Sequence, residues 1–179
     1  MDRKLERILQ KVQKPARYVG GEYGQTIKDI DQVRTRVALC FPDIYEIGMS
    51  NIGLRILYHT ANQMPGVWCE RVFMPWEDME EAMRREGIPL YALESGDPVH
   101  MFDVIAFSLG YEMAYTTVLA MLDLAGVPIR ASERKSLTPL VIAGGTCAYN
   151  PEPLADFIDL FIVGEGEEVN GELIEALTK

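Results

Sequence analysis

The sequence predicts an α/β fold of the Rossmann type: a doubly wound, parallel, five-stranded sheet preceded by a helical and irregular N-terminal arm. Three observations carry this. From Val33 onward, strand-like and helix-like patterns alternate, the signature of a parallel sheet. With 179 residues and 48% hydrophobic content, the chain suffices for one such domain with a sizeable core. Glycine-bearing turns follow several strands, at the end where open α/β sheets place their ligands.

Residues 1–32 read as a short basic helix and an arm. Leu5, Ile8, Leu9 and Val12 recur at helical spacing, and Arg3, Lys4, Arg7, Lys11, Lys14 and Arg17 read as a solvated face. Pro15 stops the helix, and the turn chemistry from Tyr18 to Gly24 carries two aromatic anchors, Tyr18 and Tyr23.

Residues 33–179 form the domain proper. Residues 36–41 are the first strand, ending at Pro42. Ser50 or Asn51 caps a helix whose apolar face is Ile52, Leu54, Leu57, Tyr58 and Ala61, and which ends near Gln63. Residues 67–73 are the second strand. The next helix places Glu77, Asp78, Glu80 and Glu81 early, Arg84 and Arg85 late, and Gly87 as its stop, which suits the helix dipole. Residues 88–93 are a short apolar segment that reads as a strand extension, and residues 104–108 the clearest buried strand. A helix over 111–125 turns Met113, Thr117, Val118, Met121, Leu122 and Ala125 inward before Gly126. Residues 140–143 and 160–163 are the last strands, and a helix over 167–178 buries Val169, Leu173, Ile174 and Leu177. Right-handed crossovers then favour a flavodoxin-like order 2-1-3-4-5, with its switch point between strands 1 and 3.

Charge and composition exclude several classes. A net charge of −10, from 17 basic and 27 acidic residues, argues against a nucleic-acid groove. No apolar run approaches the roughly 20 residues that span a bilayer. The opening residues, Met1 to Glu6, carry no signal-peptide core, so the chain reads as cytoplasmic. Cys40, Cys69 and Cys147 are far apart and suggest neither a disulfide framework nor a zinc site; the first two read as buried, the third as a loop thiol that could be exposed. His59 and His100 read as structural.

The function-bearing loops collect at the carboxyl edge of the sheet. After strand 1 come Asp43, Tyr45 and Gly48; after strand 3, Ser108, Tyr111 and Thr116; after strand 4, Gly144, Gly145 and Thr146; after strand 5, Gly164, Glu165 and Gly166. Glycine pairs at adjacent strand ends suit a flat, bulky ligand, because they let the backbone approach and leave N–H groups free to donate. The glycines of the last turn are not a dinucleotide fingerprint, since Val169 stands where a third glycine is required. Nor is this a phosphate-accepting receiver domain, because strand 3 ends in Ser108 rather than an aspartate.

Asp43-Ile44-Tyr45-Glu46-Ile47-Gly48 has the D-x-H-x-x-G spacing of the cobalamin-binding fold, with tyrosine in place of the axial histidine. This run, Lys14 to Tyr18, Ile142-Ala143-Gly144-Gly145 with Asn150-Pro151-Glu152-Pro153, and Val163-Gly164-Glu165-Gly166-Glu167 carry a wider resemblance. They resemble the N-terminal cobalamin-binding-like region of B12-binding radical SAM proteins, in a bacterial group of uncharacterised members.

The resemblance implies a module that covers a corrin ring above a radical SAM barrel of the same polypeptide, expected beyond Lys179. The [4Fe–4S] cluster and S-adenosylmethionine would belong to that barrel, since the cluster-binding C-x-x-x-C-x-x-C is absent here and the segment is not expected to be catalytic itself. The full-length enzyme would methylate or rearrange an unactivated carbon. Tyr45, a phenol with an ordinary pKa near 10, is a poor cobalt ligand, so cobalamin would bind histidine-off. Tyr45 and Tyr111 would face the ring, and the glycines with Ser108 would hold the nucleotide tail. The alternative is a non-catalytic module that has lost cobalamin and serves domain or protein docking.

Overall fold

Five parallel strands form one sheet in the order β2-β1-β3-β4-β5. They are β1 (Thr35–Phe41), β2 (Val67–Phe73), β3 (Val104–Ser108), β4 (Leu140–Gly144) and β5 (Leu160–Ile162). The computed structural model describes residues 3–177; Met1, Asp2, Thr178 and Lys179, and with them the expected end of the last helix, lie outside the described residues.

The order follows from chain chemistry. β1 from Val37 on, β3 and β4 are apolar on both faces, so each face of the sheet needs a helical cover. On one face Ala38, Cys40, Ile105, Phe107, Val141 and Ala143 pack against α4 (Glu77–Glu86) and α5 (Tyr115–Ala125). On the other, Val37, Leu39, Cys69, Val104 and Ile142 meet Leu54, Tyr58 and Ala61 of α3 (Ile52–Gln63) and Ile174 of α6 (Gly166–Leu177). The short helix α1 (Arg3–Leu9) joins the first layer by burying Leu5 and Ile8. Among the described residues, no helix is long and apolar enough to cross a membrane.

Several elements differ from expectation. An additional helix, α2 (Tyr45–Ser50), follows β1, and Asn51 then caps α3 by accepting from the Leu54 N–H at 2.9 Å. The residues after β3 form a 3-10 turn, Glu112–Ala114, so Met113 points out and is 85% exposed. Ile52, Val169 and Leu177 are likewise exposed, because each sits on the outer side of a helix that touches the sheet along a narrow stripe. Of the two expected aromatic anchors, Tyr18 is half-buried and packs against the core, whereas Tyr23 is fully exposed.

Residues 88–97 are not a strand, since Pro89 lacks a ladder donor. They still cover the outer edge of β2. The Leu93 N–H donates to the Arg71 carbonyl at 2.8 Å, and the Glu94 carboxylate takes the Arg71 N–H at 2.7 Å, which protects an edge that would otherwise be open to pairing. The arm is fastened outside α3: Lys28 donates its ammonium to the carbonyls of Asn62 and Val67, and the Trp68 indole donates to the Thr26 carbonyl at 3.0 Å.

Candidate functional site

Strand register assembles the candidate site. Ser108 at the end of β3 pairs with Gly144 of β4, and Gly144 pairs with Ile162 of β5. The loops leaving these three ends therefore start side by side. They enclose a cleft of about 420 Å³ that is lined by Ser108, Gly144, Gly145, Thr146, Gly164, Glu165 and Gly166, seven of the residues predicted from sequence.

The glycines do different jobs. Gly145 has φ 102°, and a Cβ there would lie 2.7 Å from the Leu109 carbonyl oxygen. That oxygen accepts the Cys147 N–H at 3.1 Å, and the Leu109 N–H donates to the Gly144 carbonyl at 2.7 Å, so the β3 and β4 loops are tied backbone to backbone. Gly164 has φ 116°, with nothing within 4 Å of where a Cβ would stand. It opens the wall to the cleft, whereas Gly145 closes a backbone contact.

Two features were missed from sequence. Gly53 on α3 faces the same cleft, and Tyr149 stands at its rim. Leu39, Leu57, Ala106 and Ile142 line both this cleft and an apolar channel of about 40 Å³ between α3 and α6, which is lined also by Gly171 and Leu173. Among the described residues that line the cleft there is no Lys, Arg or His, so an oxygen-rich ligand would be met by N–H groups, the Asn51 amide and the hydroxyls of Ser108, Thr146 and Tyr149, beside the Glu165 carboxylate.

The remaining predicted residues lie outside that cleft. Asp43 is half-buried; one carboxylate oxygen takes the Ile44 N–H at 2.7 Å and the other accepts the Tyr111 hydroxyl, joining the β1 and β3 loops. That hydrogen bond, with some burial, pushes the Tyr111 phenol up to about 12. Tyr45 turns toward the arm: its hydroxyl donates to Glu22 Oε1 at 2.6 Å, and its ring meets Phe73 edge-on at 5.7 Å. Burial, then the Glu22 carboxylate, pushes this phenol up to about 12, so it remains neutral. Thr116 is exposed on α5.

Gly48 is set by packing. A Cβ on it would sit 2.2 Å from the Phe73 ring, so only glycine lets α2 lie on that aromatic. Gly48→Ala is expected to cost about 1–3 kcal/mol through overpacking, seen as a lower urea midpoint at unchanged slope. Beside it, Arg17, then a backbone N–H and Lys14, hold the Glu46 carboxyl down to about 2 from its ordinary 4.5. A carboxyl whose pKa falls on folding stabilises above its unfolded value and loses that contribution as pH falls toward the folded one. An NMR titration is expected to place the Glu46 midpoint near 2.

Comparison with known proteins then places the chain. Residues 53–179, well over half of its length, match the family described as radical SAM proteins, N-terminal. The chain belongs to that family. Over 132 residues this radical SAM N-terminal region is 27% identical to an uncharacterized protein of Methanocaldococcus jannaschii, which covers 73% of the chain and 24% of the relative. It thus spans about a quarter of the length of that relative. It also overlays on the crystal structure of a cobalamin-binding protein from Desulfitobacterium hafniense with a TM-score of 0.46 and 14% identity, covering 82% of this chain and 59% of that one. The matched stretch of the radical SAM N-terminal region contains α3 and every strand end that lines the cleft except that of β1; the Asp43 to Gly48 run and the arm precede it.

The three cysteines of this radical SAM N-terminal region are all buried. Cys147 is 7% exposed rather than open to solvent, because the 3-10 turn Thr146–Tyr149 folds it inward, and burial pushes its thiol up. Cys40 and Cys69 are buried, with thiols pushed up by the same cause. The His59 ring nitrogen lies 2.7 Å from the Gln63 amide, and that of His100 lies 2.9 Å from the Ala125 carbonyl. Among the described residues, no three metal-ligating side chains converge.

Proposed function

We propose that this segment is a cobalamin-binding accessory domain of a radical SAM enzyme, with no histidine beneath the cobalt. One observation carries the reading: a glycine-walled cleft at the strand ends that shares four lining residues with an apolar pocket between two helices. A nucleotide tail needs N–H and hydroxyl donors at the mouth for phosphate oxygens, and α3 and α6 would part at the apolar pocket of about 40 Å³ to admit a flat base. The open space at Gly164 and the absence of lining cations fit a ligand that is large and carries little charge.

When bound, cobalamin supplies a cobalt centre able to carry a methyl group. The protein's part is to bind and orient it: Ser108 and Thr146 donate hydrogen bonds, and Gly144, Gly145, Gly164 and Gly166 let the backbone come close. In this reading residues 33–179 are the cofactor module and residues 1–32 its arm, and the protein is cytoplasmic. The [4Fe–4S] cluster and S-adenosylmethionine belong to a C-terminal barrel of the same polypeptide, because the buried, scattered cysteines here cannot hold a cluster.

The test is direct. The purified chain is incubated with hydroxocobalamin, desalted and examined by visible absorption. One retained corrin per chain is expected, and none at high micromolar cobalamin overturns the reading. A second reading, docking of a protein surface without cofactor, is favoured by the apolar rim of Ile47, Ile52, Met113, Tyr149 and Val163, all exposed at the carboxyl edge. It predicts no corrin but a stable complex with the barrel.

A further inference from the structure

Position 45, where the motif would place a cobalt ligand, is occupied by a contact with the arm. Three arm residues converge on two consecutive residues of α2. Arg17 donates to Glu46 Oε1 from Nη2 at 2.7 Å and from Nε at 2.9 Å, and Lys14 reaches the same oxygen at 3.1 Å. Glu22 accepts the Tyr45 hydroxyl from the other side. The arm is held further by Trp76, whose backbone N–H donates to the Tyr18 hydroxyl at 3.2 Å and whose ring lies 5.6 Å from the Arg17 guanidinium. Under the arm, Tyr45, Arg17 and Tyr18 wall a cavity of only about 30 Å³ together with buried Arg71, which leaves no room for a corrin there.

We infer that α2 is the receptor for the N-terminal arm, with Tyr45 and Glu46 as its latch, and that the motif position no longer faces a metal. The geometry supports this independently of cofactor binding. The Tyr45 ring is pinned edge-on to Phe73 and its oxygen is committed to Glu22, while the cleft is lined from this part of the chain by Asn51 and Gly53 instead. Glu46 is the only acceptor that the structure gives to both Lys14 and Arg17 side chains among the described residues. The latch therefore combines one charge-assisted cluster with one phenol–carboxylate hydrogen bond.

The test uses the whole chain. Trypsin cuts after Arg17 only when the arm lifts, whereas the cut after exposed Lys11 serves as an internal reference, and Lys14 is protected by Pro15. In Tyr45→Phe/Glu46→Gln, cleavage after Arg17 relative to Lys11 is expected to rise about tenfold, the size expected for losing such bonds. Amide exchange in β1 and β3 should stay at the wild-type level, which separates arm release from unfolding. An unchanged cleavage ratio overturns the inference. Tyr45→His gives a second arm: it is expected to loosen the arm and to leave the spectrum of bound hydroxocobalamin as in the wild type. A histidine-ligated spectrum in that variant also overturns it. If the wild-type chain retains no corrin, the cofactor reading fails while the cleavage ratio still decides the latch.

Discussion

Arg36→Met is expected to destabilise the fold by about 3–5 kcal/mol, the cost of leaving a buried charge without its partner. Glu70 has 0% exposure, in the middle of β2. Arg36 Nη2 meets its Oε1 at 2.5 Å, and the Ser95 N–H meets its Oε2 at 2.9 Å. The guanidinium also lies 4.2 Å from the centre of the Phe102 ring and pairs with Asp97 at 2.9 Å, so it bridges the sheet to the segment that seals the β2 edge. Methionine keeps much of the stem's packing but none of the charge. Since a domain of this size is stable by about 5–15 kcal/mol, the loss should be plain in a urea titration. Arg36→Met/Glu70→Leu should recover most of it, because replacing both members of a buried pair by apolar groups is often neutral. A single variant within about 1 kcal/mol of wild type, on the same curve, would show that Glu70 is satisfied without Arg36.

That pair also shows where sequence reading stops. β3 was legible because a parallel strand buried on both faces is a continuous apolar run, and it lies where residues 104–108 predict; β2 also lies over the expected residues 67–73. Gly87 and Gly126 end α4 and α5 as composition suggests. Glu70 and Arg71, by contrast, look like solvent-facing residues until the segment from Glu94 to Asp97 is brought against them from a distance. No local pattern encodes that.

The candidate site divides along the same line. Ser108, Gly144 and the glycines of the last turn came together because parallel register is set by the strands themselves. Tyr45 lies four residues past the end of β1, where its direction depends on α2, and α2 was not foreseen because six residues containing Gly48 make a poor helix in isolation. Its side chain is then directed by Phe73 and Glu22, neither of which the D-x-x-x-x-G spacing mentions. Gly53 and Gly171 left a fainter signal. Glycine inside a helix costs roughly 1 kcal/mol against alanine, and such a cost at Gly171, in the middle of α6, marks space that is being kept.

Gly171→Leu turns that observation into a discriminating experiment. Gly171 lies within α6, a Cβ on it would meet nothing within 4 Å, and the residue lines the apolar channel below the cleft. Leucine should raise the unfolding free energy by roughly 0.5–1 kcal/mol from helix propensity, with further gain where it packs on Leu57 and Leu173. The same side chain fills a channel of about 40 Å³, so the chain should lose corrin retention by about 10–100-fold, the cost of forcing two groups into one packed space. Gly171→Ala is the matched control, with the propensity gain but little filling, and should retain corrin. Ordinary destabilising variants weaken fold and binding together; this one should move them in opposite directions. A leucine variant that melts higher and binds hydroxocobalamin as the wild type does would place the ligand's tail outside the channel. The reading would then rest on the glycine rim alone, which any strand-to-helix turn could supply.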